Sequence, residues 1–213
     1  MISVIVPAYN AEKTLAETLA SILGQTKQAQ EIVVVDDGST DGTPDVARQF
    51  NVRVVRHTYN LGVSAAINTG LAVTVEQAVA IVDADDLWDA NKLAVQCPLL
   101  KDADVVVGHV QEFVDPGEDA SRVLPRTSQV GWLYGASLVR RSLFGKVGFM
   151  DPTLRTSAWV DWVHRARTAH ARFAVHPEIV LKRRVRSGSL SSSDRGADLI
   201  RVARAAVQRQ RNA

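Results

Sequence analysis

The chain has a single cysteine, Cys97, so no disulfide can form within it. That excludes a small cross-linked scaffold and fits a reducing compartment, so a cytoplasmic location is expected. Long apolar runs are missing too: none approaches the ~20 residues of a spanning helix, and no transmembrane segment is expected. The stretch Met1-Ile2-Ser3-Val4-Ile5-Val6-Pro7 lacks a basic n-region and a long apolar h-region. No signal peptide is expected there. There is no internal repeat. Low complexity is confined to Ser187-Gly188-Ser189-Leu190-Ser191-Ser192-Ser193, which reads as a loop.

Positive charge is scarce in the first part of the chain. Residues 1–119 hold 18 Asp and Glu against 7 Lys and Arg, whereas residues 120–213 hold 5 against 18. The net charge of +2 therefore hides a balance of −11 followed by one of +13. An acidic half suits a metal site. A basic half suits an anionic partner such as phosphate, nucleic acid or an acidic membrane surface. A solvated, Arg-rich surface is the plainer alternative.

What is present is one globular domain's worth of chain: 213 residues, 46% apolar and 23% charged. Short apolar runs at Ile2–Val6, Glu31–Val35, Val52–Val55, Ala78–Val82 and Ala103–Val107 read as strands. Helical spacing marks 11–23, Thr43–Phe50, Gly62–Val75 and Asp89–Leu100. Strands alternating with helices predict βαβ units and a mostly parallel sheet. Near-continuous Val and Ile runs mean strands buried on both faces. The second half is less regular. Gly131–Arg141 mixes aromatic and apolar residues, Thr156–Thr168 looks helical, 173–185 holds one or two short strands, and Asp198–Arg209 reads as a basic amphipathic helix.

In such sheets ligands sit outside the carboxyl ends of the strands, which directs attention to three loops. Asp83-Ala84-Asp85-Asp86 places three carboxylates in four residues. They repel one another unless a cation neutralises them, and carboxylate oxygen suits a hard ion such as Mg²⁺ or Mn²⁺. The competing reading is a capping cluster for the next helix. Asp36-Asp37-Gly38-Ser39-Thr40-Asp41 is either a turn with helix caps or a pair of acceptors for a base N–H or ribose hydroxyls. Asn60-Leu61-Gly62-Val63-Ser64 opens a helix whose N–H groups suit a phosphate.

Taken together, Ser3-Val4-Ile5-Val6-Pro7-Ala8-Tyr9-Asn10, Val35-Asp36-Asp37-Gly38-Ser39-Thr40-Asp41, Asn60-Leu61-Gly62 and Asp83-Ala84-Asp85-Asp86-Leu87-Trp88 resemble family 2 glycosyltransferases in order and spacing. The likeness continues more weakly through Gly135–Arg141, Val147–Asp151 and Val160-Asp161-Trp162. It implies a single GT-A-type, Rossmann-like α/β domain over 1–213, with helices on both faces of a mostly parallel sheet. Residues 1–107 would form the nucleotide-sugar half. Residues 108–213 would form the acceptor half and carry the basic C-terminal helix.

The resemblance also implies inverting transfer from a nucleotide-sugar, a UDP-sugar being expected. Pro7, Ala8, Tyr9, Asn10, Asp37, Gly62, Ser64, Asn68, Asp83 and Arg186 would form the donor site. Asp85 and Asp86 would hold Mg²⁺ or Mn²⁺, and Asp161 would be the general base. The first turns of a helix favour the carboxylate form of Asp161, with Trp159 and Trp162 to exclude water. The opposing reading pairs Asp161 with Arg165 as a surface i,i+4 ion pair.

Two positions depart from the family pattern. Ile67 stands where an arginine is common, and Arg186 stands where a histidine often helps ligate the metal. Arginine cannot ligate a metal, but it can pair with a diphosphate. Two other classes compete: a sugar nucleotidyltransferase, which usually carries a Gly-rich, Arg-containing loop absent after this first strand, and a binding module that has lost catalysis. The acceptor is expected to be anionic, such as modified DNA or a phospholipid-linked glycan, the latter with the protein peripheral at a membrane surface, with a protein or small glycan as further alternatives.

Overall fold

The computed structural model describes residues 1–118 and 128–186. The expected Ser-rich loop and the basic helix at Asp198–Arg209 lie outside the described residues. In the nucleotide half the elements run β1 (Ile2–Ala8), α1 (Leu15–Leu23), β2 (Glu31–Asp36), α2 (Thr43–Arg48), β3 (Arg53–Arg56), α3 (Val63–Val73) and β4 (Ala78–Ile81). The acid turn follows, then the two-residue β5 (Leu87–Trp88) and α4 (Lys92–Gln96). Pro98 follows α4, and the chain continues as a tighter 3-10 turn over Cys97–Lys101 rather than as the single helix expected to Leu100.

The rest comprises β6 (Val105–Phe113), β7 (Gln129–Val130), a 3-10 turn at Tyr134–Ala136, β8 (Ser137–Arg140), α5 (Arg141–Val147), α6 (Ala158–Thr168) and β9 (Phe173–Arg184). Where one or two short strands were expected, β9 is one strand of 12 residues.

One sheet carries all of this, in the order β3-β2-β1-β4-β8-β6-β9-β5, with β7 beside β6. The first four strands are mutually parallel. β8 then enters antiparallel between β4 and β6, while β6 and β9 are again parallel. The sheet is thus mixed beyond β4.

Two-residue periodicity explains the layers. On β1, Val4, Val6 and Ala8 join the core under α1, while Ile5 faces the second core under α3 and α6. Val34 against Val33 and Val35 on β2, and Ala80 against Val79 and Ile81 on β4, divide the same way. Helix α3 lies so close to β1 that any Cβ at Gly70 would run into the Ile5 side chain.

Lys92 is completely buried. Its amine donates to Gln96 Oε1 at 2.7 Å and to the Ser137 carbonyl at 3.3 Å. Burial drives its pKa well below the ordinary 10.5. Between that depressed value and 10.5 the unfolded chain carries a proton that the folded chain does not. Unfolding free energy therefore rises with pH across the window. Urea titrations at pH 7 and pH 9 should show this rise in the wild type and a flatter response in Lys92→Met; equal slopes would refute the assignment.

Candidate active site

The carboxyl ends of β1, β2 and β4 place their loops side by side. The β1 and β2 loops are tied first. Asp37 N–H donates to the Ala8 carbonyl at 2.8 Å, Asn10 N–H to Ser39 Oγ at 3.0 Å, and Thr40 N–H to Asn10 Oδ1 at 2.9 Å. Pro7 and Ala8 are buried behind this seam, and Tyr9 is exposed.

Asp37 then fixes the entrance to α3. Its Oδ1 accepts from Leu61 N–H at 2.9 Å and its Oδ2 from Gly62 N–H at 2.8 Å. His57 Nδ1 lies 2.7 Å from Oδ1, and its Nε2 lies 2.9 Å from Thr69 Oγ1. Gly38, at φ +73°, packs against the Tyr59 backbone so closely that only glycine fits. The Gly62 N–H is therefore committed to Asp37 rather than open to a phosphate. Helix α3 has no side-chain cap at its N-terminus, which keeps that end suited to an anion.

The acid turn is held from below by α1, where Thr14 Oγ1 and Thr18 Oγ1 each donate at 2.9 Å, to the Ala84 and Asp86 carbonyls. Burial raises the Asp83 carboxyl to about 6, helped by the negative charge of Asp85 and opposed by a hydrogen bond from Tyr134 Oη. Burial, then Asp83 and Asp85, push Asp86 well above the carboxylate range. Desolvation, then the neighbouring carboxylates, push the partly buried Tyr134 well above 10.0.

Strand β9 brings the opposing charge. Arg184 N–H donates to Asp86 Oδ1 at 2.9 Å, and its Nε to the Asp85 carbonyl at 2.9 Å. Its guanidinium also engages Glu17 at 2.5 Å, pairs with Asp115 and covers the Phe113 ring. Arg183 pairs with Glu112 at 3.0 Å. Arg186 donates to Asp85 Oδ2.

The donor set fits a hard divalent cation. Two of the three crowded carboxylates, Asp83 and Asp86, have raised proton affinity, the sign of negative charge lacking compensation. Among the described residues no three or more Asp, Glu, His or Cys side chains are placed to hold a metal ion together. A cation here would use one or two carboxylates and take its other ligands from phosphate and water, as Mg²⁺ does.

Other expected site residues have partners of their own. Asn68 clasps Met150, donating to its carbonyl at 2.9 Å and accepting from its N–H at 3.0 Å. Ser64 donates to the Leu154 carbonyl at 3.4 Å. Both thus tie α3 to the segment between α5 and α6. Asp161 is buried, not on the surface, and its Oδ2 accepts from Arg165 Nε at 2.8 Å. Arg165 also donates to the Val147 and Phe149 carbonyls at 2.6 and 2.7 Å. Trp159 stacks on Trp162 at 5.0 Å and meets Tyr134 edge-on at 6.1 Å.

Tyr134, Arg184, His57, Thr14 and Thr18 escape sequence reasoning. Each acts across a long sequence separation, and only the aromatic cluster 131–134 hints at any of them.

Residues 3–157 match the model of the family described as "Glycosyl transferase family 2". The chain is 35% identical over 103 residues to the Escherichia coli UDP-Glc:alpha-D-GlcNAc-diphosphoundecaprenol beta-1,3-glucosyltransferase WfgD. That alignment covers 47% of this chain and 41% of that protein, so less than half of the relative's length is represented. Staphylococcus aureus TarS 1–349 in complex with UDP-GlcNAc shares the fold at TM-score 0.77 and 24% identity, covering 96% of this chain and 65% of the other. The mannosyltransferase PcManGT from Pyrobaculum calidifontis, in complex with GDP-Man and Mn²⁺, superposes at TM-score 0.74 with 25% identity, covering 97% and 64%. The architecture is the GT-A fold.

Proposed function

This chain belongs to glycosyl transferase family 2, and on that footing we propose that it moves a sugar from a UDP-sugar to a lipid-linked, diphosphate-bearing glycan with inversion. The observation that carries the reading is the placement of the acid turn Asp83–Asp86 and the loop that Asp37 holds at the same, carboxyl end of the parallel strands β2, β1 and β4. Support for UDP and for a diphospholipid acceptor comes from WfgD, whose name specifies both. The Mn²⁺ complex of PcManGT supports a divalent metal.

In this reading Pro7, Ala8, Tyr9, Asn10 and Asp37 frame the nucleoside, and the uncapped end of α3 and Arg186 face the diphosphate. Ser64 and Asn68 set the wall behind it. Asp85 and Asp86 would hold Mg²⁺ or Mn²⁺, and Asp83 would lie beside them. The bound cation supplies Lewis-acid stabilisation of the departing diphosphate. Asp161 accepts the proton of the attacking hydroxyl, and one displacement at the anomeric carbon inverts it. The Arg165 pair favours a second reading, in which Asp161 anchors the Val147–Phe149 loop.

Among the described residues no helix is long and apolar enough to cross a membrane. The net positive charge of residues 120–213 suits an anionic acceptor.

Thermal melting with UDP, GDP and their sugars, with Mn²⁺ or a chelator, tests the donor site. A ligand at a hundred times its dissociation constant adds about 2.7 kcal/mol. A rise with UDP that requires Mn²⁺ is expected, and no rise with any nucleotide would remove the proposal. Sugar transfer to a diphosphoundecaprenol-linked acceptor tests the second half. Strong, salt-sensitive duplex DNA binding without such transfer would replace the lipid acceptor by nucleic acid.

A further inference from the structure

Asp85 faces a permanent cation before any metal arrives. The Arg186 guanidinium donates to its Oδ2, with the two side chains 42% and 26% exposed. Arg184, two residues earlier, is buried and divided among Glu17, Asp115 and the Asp85 carbonyl. Arg186 reaches solvent, and among the described residues it pairs with Asp85.

A guanidinium and a divalent cation cannot share one small carboxylate without strong mutual repulsion, so they compete for Asp85. A diphosphate offers Arg186 a better partner, because two charged oxygens match its planar fork.

Resting on the UDP-sugar reading above, we propose that Arg186 is a positioning residue that couples nucleotide to metal. It holds Asp85 in the donor-free protein, moves to the diphosphate when the nucleotide binds, and thereby releases Asp85 to the cation. Metal alone and nucleotide alone must each break the Arg186–Asp85 pair, whereas together they break it once. Each ligand therefore raises the affinity of the other by the same factor, as linkage requires. Because the pair is partly exposed, its share of that factor is about fivefold.

Titration calorimetry of Mn²⁺ into nucleotide-free protein, and of UDP with and without Mn²⁺, measures every leg of this cycle. Relative to wild type, Arg186→Gln is expected to bind Mn²⁺ alone about fivefold more tightly, to bind UDP alone more weakly, and to lose about fivefold of the coupling factor. Arg186→Lys keeps a cation and should retain part of the coupling. Melting curves without ligand control for folding, where only the small loss of one surface pair is expected.

Unchanged or weaker Mn²⁺ binding by Arg186→Gln would overturn the competition. An unchanged coupling factor would overturn the transfer to the diphosphate. Failure of the wild type to bind UDP under any condition is a different result: it removes the donor reading and this inference with it.

Discussion

Asp85→Ala is expected to abolish metal-dependent donor binding, lowering UDP affinity in Mn²⁺ at least about a hundredfold, since loss of even an outer partner of a metal ligand costs ten- to a hundredfold. The fold should survive. The Asp85 side chain pairs with Arg186 at the surface, and its backbone carbonyl keeps the Arg184 hydrogen bond whatever the side chain. Asp86→Ala would be a poorer test, because Asp86 is buried and receives the Arg184 N–H. Calorimetry of UDP in Mn²⁺ and in a chelator decides the matter. A Mn²⁺ dependence that persists in Asp85→Ala would remove Asp85 from the metal site.

Asp161→Asn should reduce turnover by about 10²–10⁴-fold, the usual contribution of a positioned base, while UDP binding stays intact. Some stability will also go, because the Arg165 bond to a charged acceptor becomes a bond to a neutral one. That loss makes a companion variant necessary. Arg165→Gln breaks the same pair and releases the Val147 and Phe149 carbonyls, but leaves a carboxylate at 161. If Asp161 is the base, Arg165→Gln keeps most of the turnover. Equal losses in the two variants would assign Asp161 to the loop anchor and leave the base to be found elsewhere.

The contrast between these two residues shows what was legible in the sequence. Strands β1, β2 and β4 were readable because each is a short, mostly apolar run whose burial on both faces leaves few polar interruptions, while β3 was carried by Val54-Val55 alone between two exposed arginines. The acid turn was readable because three adjacent carboxylates carry their own electrostatic signature. β8 was not: Ser137–Arg140 is four residues long, and its antiparallel insertion between β4 and β6 depends on partners over 30 residues away.

Side-chain roles were harder still. The sequence spacing of Asp161 and Arg165 allowed a pair, and the flanking Trp159 and Trp162 hinted that water would be excluded, but nothing suggested that Arg165 would also staple a loop. Asn68 and Ser64 sit at positions suggestive of a ligand, yet their partners are the Met150 and Leu154 backbones, 82 and 90 residues later. Gly62 opens its helix as read, but its N–H serves Asp37.

The bonds between β9 and the acid turn also set a timetable. Arg184 meets Asp86 across 98 residues and Glu17 across 167, and β5 has its strand partner in Leu181 and Lys182. A ribosome making this chain delivers β1 to β4 early, with their parallel pairings ready to form. The three carboxylates emerge long before the arginines that brace them. During that interval the nascent protein holds a half-sheet with an unpaired edge at β4 and an acid turn lacking its scaffold, the kind of exposed intermediate that long-range strand pairing makes slow to resolve. The acid turn thus gains its bracing only after β9 has been made.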